Sequence, residues 1–455
     1  MNSKITFYTG VGSVTGANFL FELSNKRILV DCGLVQGERE AMEDNRLPFG
    51  YDPKTIDMLF VTHAHLDHVG RIPKLIKEGF VGEIYSTNET KALAELILED
   101  AVMILQKNAN EQGLEPLYSE SDMRKSFNNW KTIGYHINHN FGDFSVYLKD
   151  SGHILGASMF EFKYKKNGQD RKVVFTGDLG NSPSPLLRDT ESIQGADYVV
   201  MESVYGDRNH EPKSERIEKL KQTITDTIHK KGTLVIPAFS LERTQVLIYE
   251  MNNLIENKEI PSIPVYVDSP LATRITEVYK RGEENFNENT RKQINDGDDI
   301  FSFPKLIYTH GSEESRSLER VPGPKIIIAG SGMSVGGRVI RHEEIYLPDP
   351  NSTILLVGYQ TLGTIGRHLL DGDKKIKIGH DTIKVKAHID SILGYSSHKD
   401  SDHLVEFVNT AQNTLKKAFV VMGEFKSSTF LSQRIKDELG IQAVCPEVAK
   451  TYELE

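Results

Sequence analysis

Apolar residues in the first part of the chain occur in short β-branched or aromatic runs that Gly, Asn and Asp separate, which predicts strands and turns. One stretch differs. From about Glu89 to Gln112 the apolar residues fall at helical spacing, so we expect a helix packed on the face of a sheet. The strand-like segments are FLFEL, KRILVDCG, DMLFVTHAH, FSVYLKDSGH, SMFEFKY, KVVFTGD and ADYVVMES.

From about Asp207 the pattern changes to alternating helices and strands, which predicts a parallel sheet with helices on both faces. The polar stretch 281–299 predicts a surface helix with a loop. After the apolar run 351–359 the strand-rich pattern returns and continues to the end. Because the first and last parts resemble each other, we predict one domain interrupted by another. The predicted bounds are 1–206 and 359–455 for the outer domain and 207–358 for the insert.

The composition narrows the class of protein and of metal site. The 455 residues favour two or three domains, and neither a membrane-spanning apolar run nor a signal-peptide core is evident, so we expect a cytoplasmic protein without a membrane partner. Cys32 and Cys445 are the only cysteines, so any metal must be held by histidine and carboxylate. The net charge of −10 argues against non-specific coating of nucleic acid, but it leaves open an enzyme with a locally positive groove.

The segment VTHAHLDHVG carries four metal-capable side chains: His63, His65, Asp67 and His68. His63 and His65 follow a strand-like run, so both imidazoles can bind one ion, while Asp67 and His68 turn towards a neighbouring position. A single histidine is usually a surface or core group. A cluster of desolvated ligands beside a strand end has little structural use without an ion, so the spacing predicts a metal site and allows two ions.

Three further ligand-type residues stand where an apolar strand meets a glycine-containing turn: Asp31 in LVDCG, His153 in DSGHILG and Asp178 in FTGDLG. Each alone is compatible with an ordinary turn residue. Together with the HAHLDH cluster they predict a centre assembled from several loops. Cys32, beside Asp31, is expected to pack as a buried thiol rather than to bind metal.

These motifs resemble those of the metallo-β-lactamase superfamily, whose α/β fold is a four-layer αββα sandwich with a metal site at the edge of its two sheets. The middle of the chain resembles the β-CASP domain of the branch that processes nucleic acids. The resemblance covers essentially the whole chain, and bacterial and archaeal homologues of the endonuclease subunit of the cleavage and polyadenylation specificity factor look most similar. The supporting segments are MESVYGDR, PAFSLERTQ, VYVDSPLA, EESRSLERVPGPKIIIAGSGMSVGGRV, GYQTLGTIGRHLLDG and GYSSHKDSDHL.

The resemblance implies a centre of two divalent ions. The first ion would be held by His63, His65 and His153, the second by Asp67 and His68, and Asp178 would bridge both. This donor set favours Zn²⁺, with Mn²⁺ as the alternative. Two ions ~3.5–4 Å apart lower the pKa of a bridging water towards ~7 and clamp phosphoryl oxygens, which suits phosphodiester hydrolysis.

The resemblance also implies roles around the metals, with Asp67 counted among the catalytic residues. Asp31 would orient His65 or one of its neighbours by accepting an N–H bond. His398, in YSSHKD, matches the family's catalytic histidine and would protonate the leaving oxygen, with Glu202 keeping the imidazole charged near neutral pH. The alternative for His398 is a surface histidine before a helix, with Ser397 and Asp400 as capping residues.

Contacts to substrate phosphate are expected from several places. Ser331 and the glycines of GSGMSVGG follow a strand and precede a helix, so backbone N–H groups face an anion. Arg243, Arg367 and Ser397 are further candidates. Either arginine is equally compatible with an ion pair inside the fold.

One position departs from the family pattern. Where relatives carry a histidine before Gly-Glu that completes the second metal site, this chain has Met422 in FVVMGEF. A thioether is a poor ligand for zinc, so we expect the second ion to bind more weakly. Three outcomes are open: water fills the gap and the enzyme stays active, His388 or His403 replaces the ligand, or the second ion and catalysis are lost. The first is favoured, because every other candidate ligand is kept.

The favoured function is a metal-dependent ribonuclease that cuts single-stranded RNA in the cleft between the two domains. A small-molecule metallo-hydrolase is disfavoured by the insert and His398, whereas Met422 keeps open an RNA-binding scaffold with a weakened site. The sequence does not decide between endo- and exonuclease action or between RNA and DNA, and a homodimer is one expectation for the oligomeric state. We expect neither the C-terminal domain of ribonuclease J-like relatives nor the KH-type domains of archaeal ones.

Overall fold

The structure, a computed structural model, describes residues 3–37, 43–361 and 363–455. It divides into two compact units, one formed by Met1–Asn209 with His398–Glu455 and the other by His210–Ser397. The second boundary differs from the sequence-based division at 358, because strand His388–Ile392 pairs with Thr353–Val357 inside the second unit. The mixed α/β class predicted from the sequence is confirmed.

The first unit contains two seven-stranded sheets, with strands numbered along the chain. Their orders are β22-β1-β2-β3-β4-β5-β6 and β21-β20-β11-β10-β9-β8-β7. The first sheet consists of β1 Ser3–Thr9, β2 Asn18–Leu23, β3 Lys26–Val30, β4 Met58–Phe60, β5 Glu83–Ser86, β6 Trp130–Thr132 and β22 Thr451–Leu454. The second consists of β7 Asn138–Asn140, β8 Phe144–Asp150, β9 Ser158–Lys166, β10 Gln169–Phe175, β11 Tyr198–Met201, β20 Lys417–Val420 and β21 Gln442–Val444.

An aromatic core joins the two sheets. Alternate residues of a strand share one face, so FLFEL and SMFEFKY each direct phenylalanines inward. The ring centroids of Phe21 and Phe162 lie 5.4 Å apart, and those of Phe60 and Phe160 lie 5.2 Å apart. All four are fully buried, which makes the sheets a rigid base for the loops at their edges.

Helices cover the outer faces of this sandwich. The helices are α1 Leu66–Val69, α2 Ile72–Lys77, α3 Asn88–Gln112, α4 Glu120–Ser126, α12 Ser401–Asn409 and α13 Phe425–Leu439. The long helix predicted from about Glu89 is confirmed as α3, where the Thr87 side chain caps the first turn by accepting from the N–H of Thr90. The helix ends at Gly113, whose φ of 66° needs the left-handed conformation that glycine adopts easily.

The second unit has a six-stranded sheet of order β14-β13-β15-β12-β16-β19, and all of its strand pairs are parallel, as the alternating pattern predicted. Its strands are β12 Thr233–Pro237, β13 Val265–Asp268, β14 Leu306–Tyr308, β15 Lys325–Ala329, β16 Thr353–Val357 and β19 His388–Ile392, beside the hairpin β17 Lys375–Ile378 and β18 Asp381–Lys384. Its helices are α5 Lys213–Lys230, α6 Arg243–Glu256, α7 Pro270–Arg281, α8 Glu288–Asn295, α9 Ser312–Ser317, α10 Val339–Tyr346 and α11 Ile365–Leu370.

Short 3₁₀ turns span Pro53–Thr55, Glu283–Asn285, Leu318–Arg320 and Leu393–Tyr395. Helix α8 lies within the polar stretch 281–299, where a surface helix with a loop was predicted. Within the described ranges, no helix combines the length and the apolar character that crossing a membrane requires.

Candidate metal centre

The HAHLDH segment lies where strand β4 ends. The chain leaves the strand at Phe60 and starts α1 at Leu66, with His65 as the residue that precedes the first helical turn. His63 therefore lies in the loop, whereas Asp67 and His68 lie on the helix. This change of direction brings side chains that are adjacent in sequence to one edge of the sandwich.

The first group of donors consists of His63, His65, His153 and Asp178, whose ligand atoms all lie within 4.8 Å of one another. Nδ1 of His65 lies 3.1 Å from Nε2 of His63 and 3.1 Å from Nε2 of His153. Oδ2 of Asp178 lies 3.4 Å from Nε2 of His63 and 3.5 Å from Nε2 of His153. The residues predicted for the first ion are thus brought together with the predicted bridging carboxylate.

The protonation states of this group suit metal binding. Burial lowers the pKa of His65 and of His153 well below the ordinary value, and nearby imidazoles lower both further. Burial alone would raise the pKa of Asp178, but His68 and His63 hold it well below its usual range. Neutral imidazoles and an ionised carboxylate are the forms that bind metal ions.

His68 extends the group at the other oxygen of Asp178. Its Nε2 lies 3.3 Å from Oδ1 of Asp178 and 3.9 Å from Oδ2 of Asp67. Both this Nε2 and this Oδ1 are buried, and neither makes a hydrogen bond within the described part of the chain. Burial would lower the pKa of His68, but the carboxylates of Asp178, Asp31 and Asp67 raise it well above its usual value, so Nε2 and Oδ1 form a buried ion pair. A divalent cation can take the place of that proton and be bound by both atoms. Asp67, His68 and Asp178 therefore fit a second ion.

Asp31 fixes the orientation of His68. Nδ1 of His68 lies 2.7 Å from Oδ2 of Asp31, while Thr62 donates its N–H to Oδ1 and its hydroxyl to Oδ2, both at 2.8 Å. A bond at Nδ1 directs the opposite nitrogen to the metal position. The sequence predicts this bond at His65 or one of its neighbours, and in the structure it is at His68. Thr62 was not predicted, although its position directly before His63 was an available signal.

Glu202 and His398 form a bonded pair beside these donors. Nδ1 of His398 lies 3.0 Å from Oε1 of Glu202 and 4.0 Å from Oδ2 of Asp178. The fully buried Glu202 also accepts the N–H of Leu179 at 2.7 Å. Burial would lower the pKa of His398, but the Glu202 carboxylate raises it to about 9. His398 is therefore held as a charged imidazolium next to the donor group. Asp178, Glu202 and His398 also form a second set able to hold a metal ion.

Lys399 connects the His398 segment to the loop that follows Asp178. Its Nζ donates to the carbonyl of Gly180 at 2.8 Å and to the hydroxyl of Ser182 at 3.0 Å. The side chain is almost fully buried. Lys399 was not predicted from the sequence, although its adjacency to His398 was an available signal.

Met422 follows β20 and lies beside the second group of donors. It is buried, and with Asp31, His68 and Glu202 it lines a cavity of about 10 Å³. A volume of this size accepts at most about one water molecule. Met422, the position that departs from the family pattern, therefore lies next to His68, one of the ligands predicted for the second ion.

The histidines considered as replacements for the missing ligand are engaged elsewhere. His403 lies on α12 with its Nδ1 2.6 Å from Oδ1 of Asp400, and His388 lies in strand β19 of the second unit. Asp400 caps α12 by accepting the N–H of His403, which was its predicted alternative role.

The residues predicted to contact phosphate lie in the second unit and are not part of the donor group. Ser331 follows β15, and its hydroxyl accepts the N–H of Val335 at 3.0 Å. Arg243 is the buried first residue of α6. Arg367 pairs with Asp371, with Nε 2.9 Å from the carboxylate, at a partly exposed position of α11. Ser397 is the last residue of this unit.

Three family models match the chain in consecutive segments. They are the metallo-beta-lactamase superfamily over residues 13–150, the Beta-Casp domain over residues 244–369, and the Zn-dependent metallo-hydrolase RNA specificity domain over residues 382–446. Ribonuclease TTHA0252 of Thermus thermophilus is 33% identical over 405 residues, which cover 89% of this chain and 90% of that protein. The chain belongs to the metallo-β-lactamase superfamily. The Beta-Casp match places it in the β-CASP branch.

Two further relatives and one solved structure are also similar to most of the chain. Transcription termination factor FttA of Methanosarcina mazei is 29% identical over 454 residues, covering 96% of the chain and 70% of that protein. Endoribonuclease YSH1 of Candida glabrata is 28% identical over 433 residues, covering 92% of the chain and 54% of that protein. A crystal structure of a protein of unknown function from Enterococcus faecalis V583 matches with a TM-score of 0.60 at 15% identity over 100% of both chains, which supports the fold.

The resemblance drawn from the motifs is thereby confirmed, together with the α/β fold and the class of hydrolase. The superfamily consists of metallo-hydrolases, and the His/Asp group of this β-CASP protein is able to bind divalent metal ions. The roles of individual residues remain predictions.

Proposed function

We propose that the protein is a metal-dependent ribonuclease that hydrolyses phosphodiester bonds of single-stranded RNA. The observation that carries the proposal is the environment of Asp178, whose Oδ2 faces His63 and His153, whose Oδ1 faces His68, and whose neighbour is His398. Relatives named as ribonuclease and endoribonuclease support RNA as the substrate, as does the match to an RNA specificity domain. We assign Zn²⁺ as the resident ion, with Mn²⁺ as the alternative.

The donor group, His398 and Asp31 have different roles in the proposed hydrolysis. Divalent ions held by the donor group would supply Lewis-acid chemistry, because they lower the pKa of water and offset charge on phosphoryl oxygens. His398 gives a proton to the leaving oxygen. Its Nδ1 is engaged by Glu202, so the transferred proton is the one at Nε2. Asp31 keeps His68 directed at Asp178.

Neither alternative function is favoured. A small-molecule hydrolase has no need for the bonded His398–Glu202 pair or for an RNA specificity domain. An RNA-binding scaffold has no use for a buried cluster of metal donors such as His63, His153 and Asp178. A homodimer, the choice between internal and terminal cutting, and a cytoplasmic location remain predictions.

End-labelled single-stranded RNA, incubated with the protein with and without a chelator, tests the proposal. We expect cutting that the chelator stops and that added Zn²⁺ or Mn²⁺ restores. RNA labelled at each end in turn distinguishes internal from terminal cutting. The variant His398→Asn should retain metal but lose roughly 10²–10⁴-fold in rate. Cutting that survives both the chelator and this substitution would contradict the proposal, and binding without cutting would identify a scaffold.

A further inference from the structure

Lysines collect on the outer face of the second sheet of the first unit. Strands β8, β9 and β10 form antiparallel pairs there, with Tyr147 opposite Glu161 and Lys163 opposite Lys172. Since alternate residues share a face, these positions lie on the side opposite the phenylalanine core. We call Tyr147, Lys149, Lys163, Lys165 and Lys172 the lysine face.

The buried carboxylate of Glu161 lies within ion-pair distance of three of these lysines. Glu161 lies 3.0 Å from Nζ of Lys163, 3.2 Å from Nζ of Lys172 and 3.4 Å from Nζ of Lys149. Like charges directly opposite each other on paired strands are destabilising, and a single glutamate does not neutralise three ammonium groups. Within the lysine face the four lysines therefore outnumber this one glutamate, in a chain whose net charge is −10.

A cavity of about 590 Å³ opens at the far end of this face, lined by Lys163, Lys165, Lys172 and Arg171 among others. Asp143, Asp170 and Asp197 also line it, so the cavity wall carries four positive and three negative side chains. Asp197 lies 4.0 Å from Arg171, and Asp170 lies 4.0 Å from Lys165. The side chains of Lys163 and Lys165 are 42% and 76% exposed, so both remain accessible to a ligand.

The lysine face leads away from the donor group. Strand β8 ends at Asp150 and continues into the loop that carries His153, and β9 begins at Ser158, opposite Asp150. Lys165 lies seven residues beyond Ser158 along the same strand, which corresponds to about 23 Å at strand spacing. On β9 the positive positions thus lie only in the far half of the strand, since Met159 and Glu161 occupy the same face nearer the donors. Lys149, on β8, lies beside Asp150 at the donor edge.

We propose that the lysine face binds the phosphate backbone of single-stranded RNA several nucleotides away from the bond that is cut. The proposal rests on the ribonuclease function and adds a second contact surface for the same substrate. Lys163 and Lys165, at alternate positions of one strand, offer two exposed cations to a polyanion. Tyr147, whose ring centroid lies 5.3 Å from Nζ of Lys163, adds an aromatic surface for a base.

The test is the salt dependence of RNA binding, measured with a chelator present so that the RNA stays intact. The double variant Lys163→Gln/Lys165→Gln removes two exposed charges, and Lys107→Gln/Lys125→Gln on helices α3 and α4 is the matched control. For single strands each lost phosphate contact reduces the slope of log K against log salt by about 0.7. In the lysine-face variant we expect the slope to fall by about 1.4. We also expect this variant to bind long RNA no more tightly than short RNA. The control should keep the slope and the length dependence of the natural chain.

The outcomes separate this inference from the ribonuclease function. An unchanged slope in Lys163→Gln/Lys165→Gln, or an equal loss in the control, would overturn the lysine face while leaving RNA cutting intact. Loss of RNA binding in a protein that never cuts RNA would support the lysine face and overturn the ribonuclease function. Polyglutamate is the competitor that tests the assignment to RNA. If it displaces labelled RNA as effectively per charge as unlabelled RNA does, the lysine face binds acidic proteins instead and the assignment to RNA is overturned.

Discussion

Met422→His tests whether position 422 governs the second metal ion. Met422 is buried in a cavity of about 10 Å³ that it shares with Asp31, His68 and Glu202. An imidazole there lies beside His68, whose Nε2 is 3.3 Å from Oδ1 of Asp178. The substitution adds a borderline nitrogen donor where the chain now has a thioether.

The expected effect has two opposing parts. Without metal, a buried imidazole that lacks a partner costs about 1–3 kcal/mol in the free energy of unfolding, the usual penalty for an unsatisfied buried polar group. With metal at 100 times its Kd, binding to the folded state stabilises by about 2.7 kcal/mol. The variant should therefore be less stable than the natural chain after chelation and should respond more strongly to added metal.

Thermal unfolding with increasing Zn²⁺ or Mn²⁺, together with the number of ions bound per chain, measures both parts. Met422→Leu is the matched control, because it keeps the apolar packing and adds no donor. We expect the weaker ion to bind more tightly in Met422→His alone, by at least the 10–100-fold typical of changes in the metal environment. If ion number, affinity and thermal response equal those of Met422→Leu, position 422 does not govern the second ion.

Other substitutions test the surroundings of the metals and the second unit. Glu202→Gln removes the carboxylate that raises the pKa of His398 to about 9, so the rate should begin to fall at a lower pH than in the natural chain, in a profile of cleavage rate against pH. Asp31→Asn should weaken metal binding about 10–100-fold, as measured by competition with a chelator. Burial raises the pKa of Glu343 from 4.5 to about 7, so the unfolded chain releases this proton first and the free energy of unfolding falls between these pH values, by about 3 kcal/mol at most. Glu343→Gln should abolish that part of the fall, as judged from urea unfolding at either end of the range.

Local patterns predicted much of the fold because they record which face of an element is buried. Helix α3 followed from helical spacing and strand β9 from alternation, and neither depends on distant residues. The boundary near 358 depended on which sheet accepts the strand His388–Ile392. That choice is made by long-range strand pairing, which the sequence of a single strand does not specify.

The candidate site also has features that the local sequence predicts and features that depend on the folded chain. Residues of ligand type at strand ends were predictable, because the ends of neighbouring strands meet at one edge of a sheet. The partner of Asp31 was not predictable, because the choice between His65 and His68 depends on the turn that starts α1. Lys399 was missed because its partners are a backbone carbonyl and a serine hydroxyl, and neither marks a lysine partner in the sequence.

The donor group supports metal binding, because without an ion it adds little to the stability of the fold. Its side chains come from the segments that follow β4, β8 and β10, where the chain leaves the buried core of the two sheets. Nε2 of His68 and Oδ1 of Asp178 form a buried ion pair at 3.3 Å. A buried ion pair is often no more stabilising than apolar residues of similar volume, so the pair has little structural value by itself. A bound cation uses the same geometry, so the position of these two atoms favours an ion between them over a structural role.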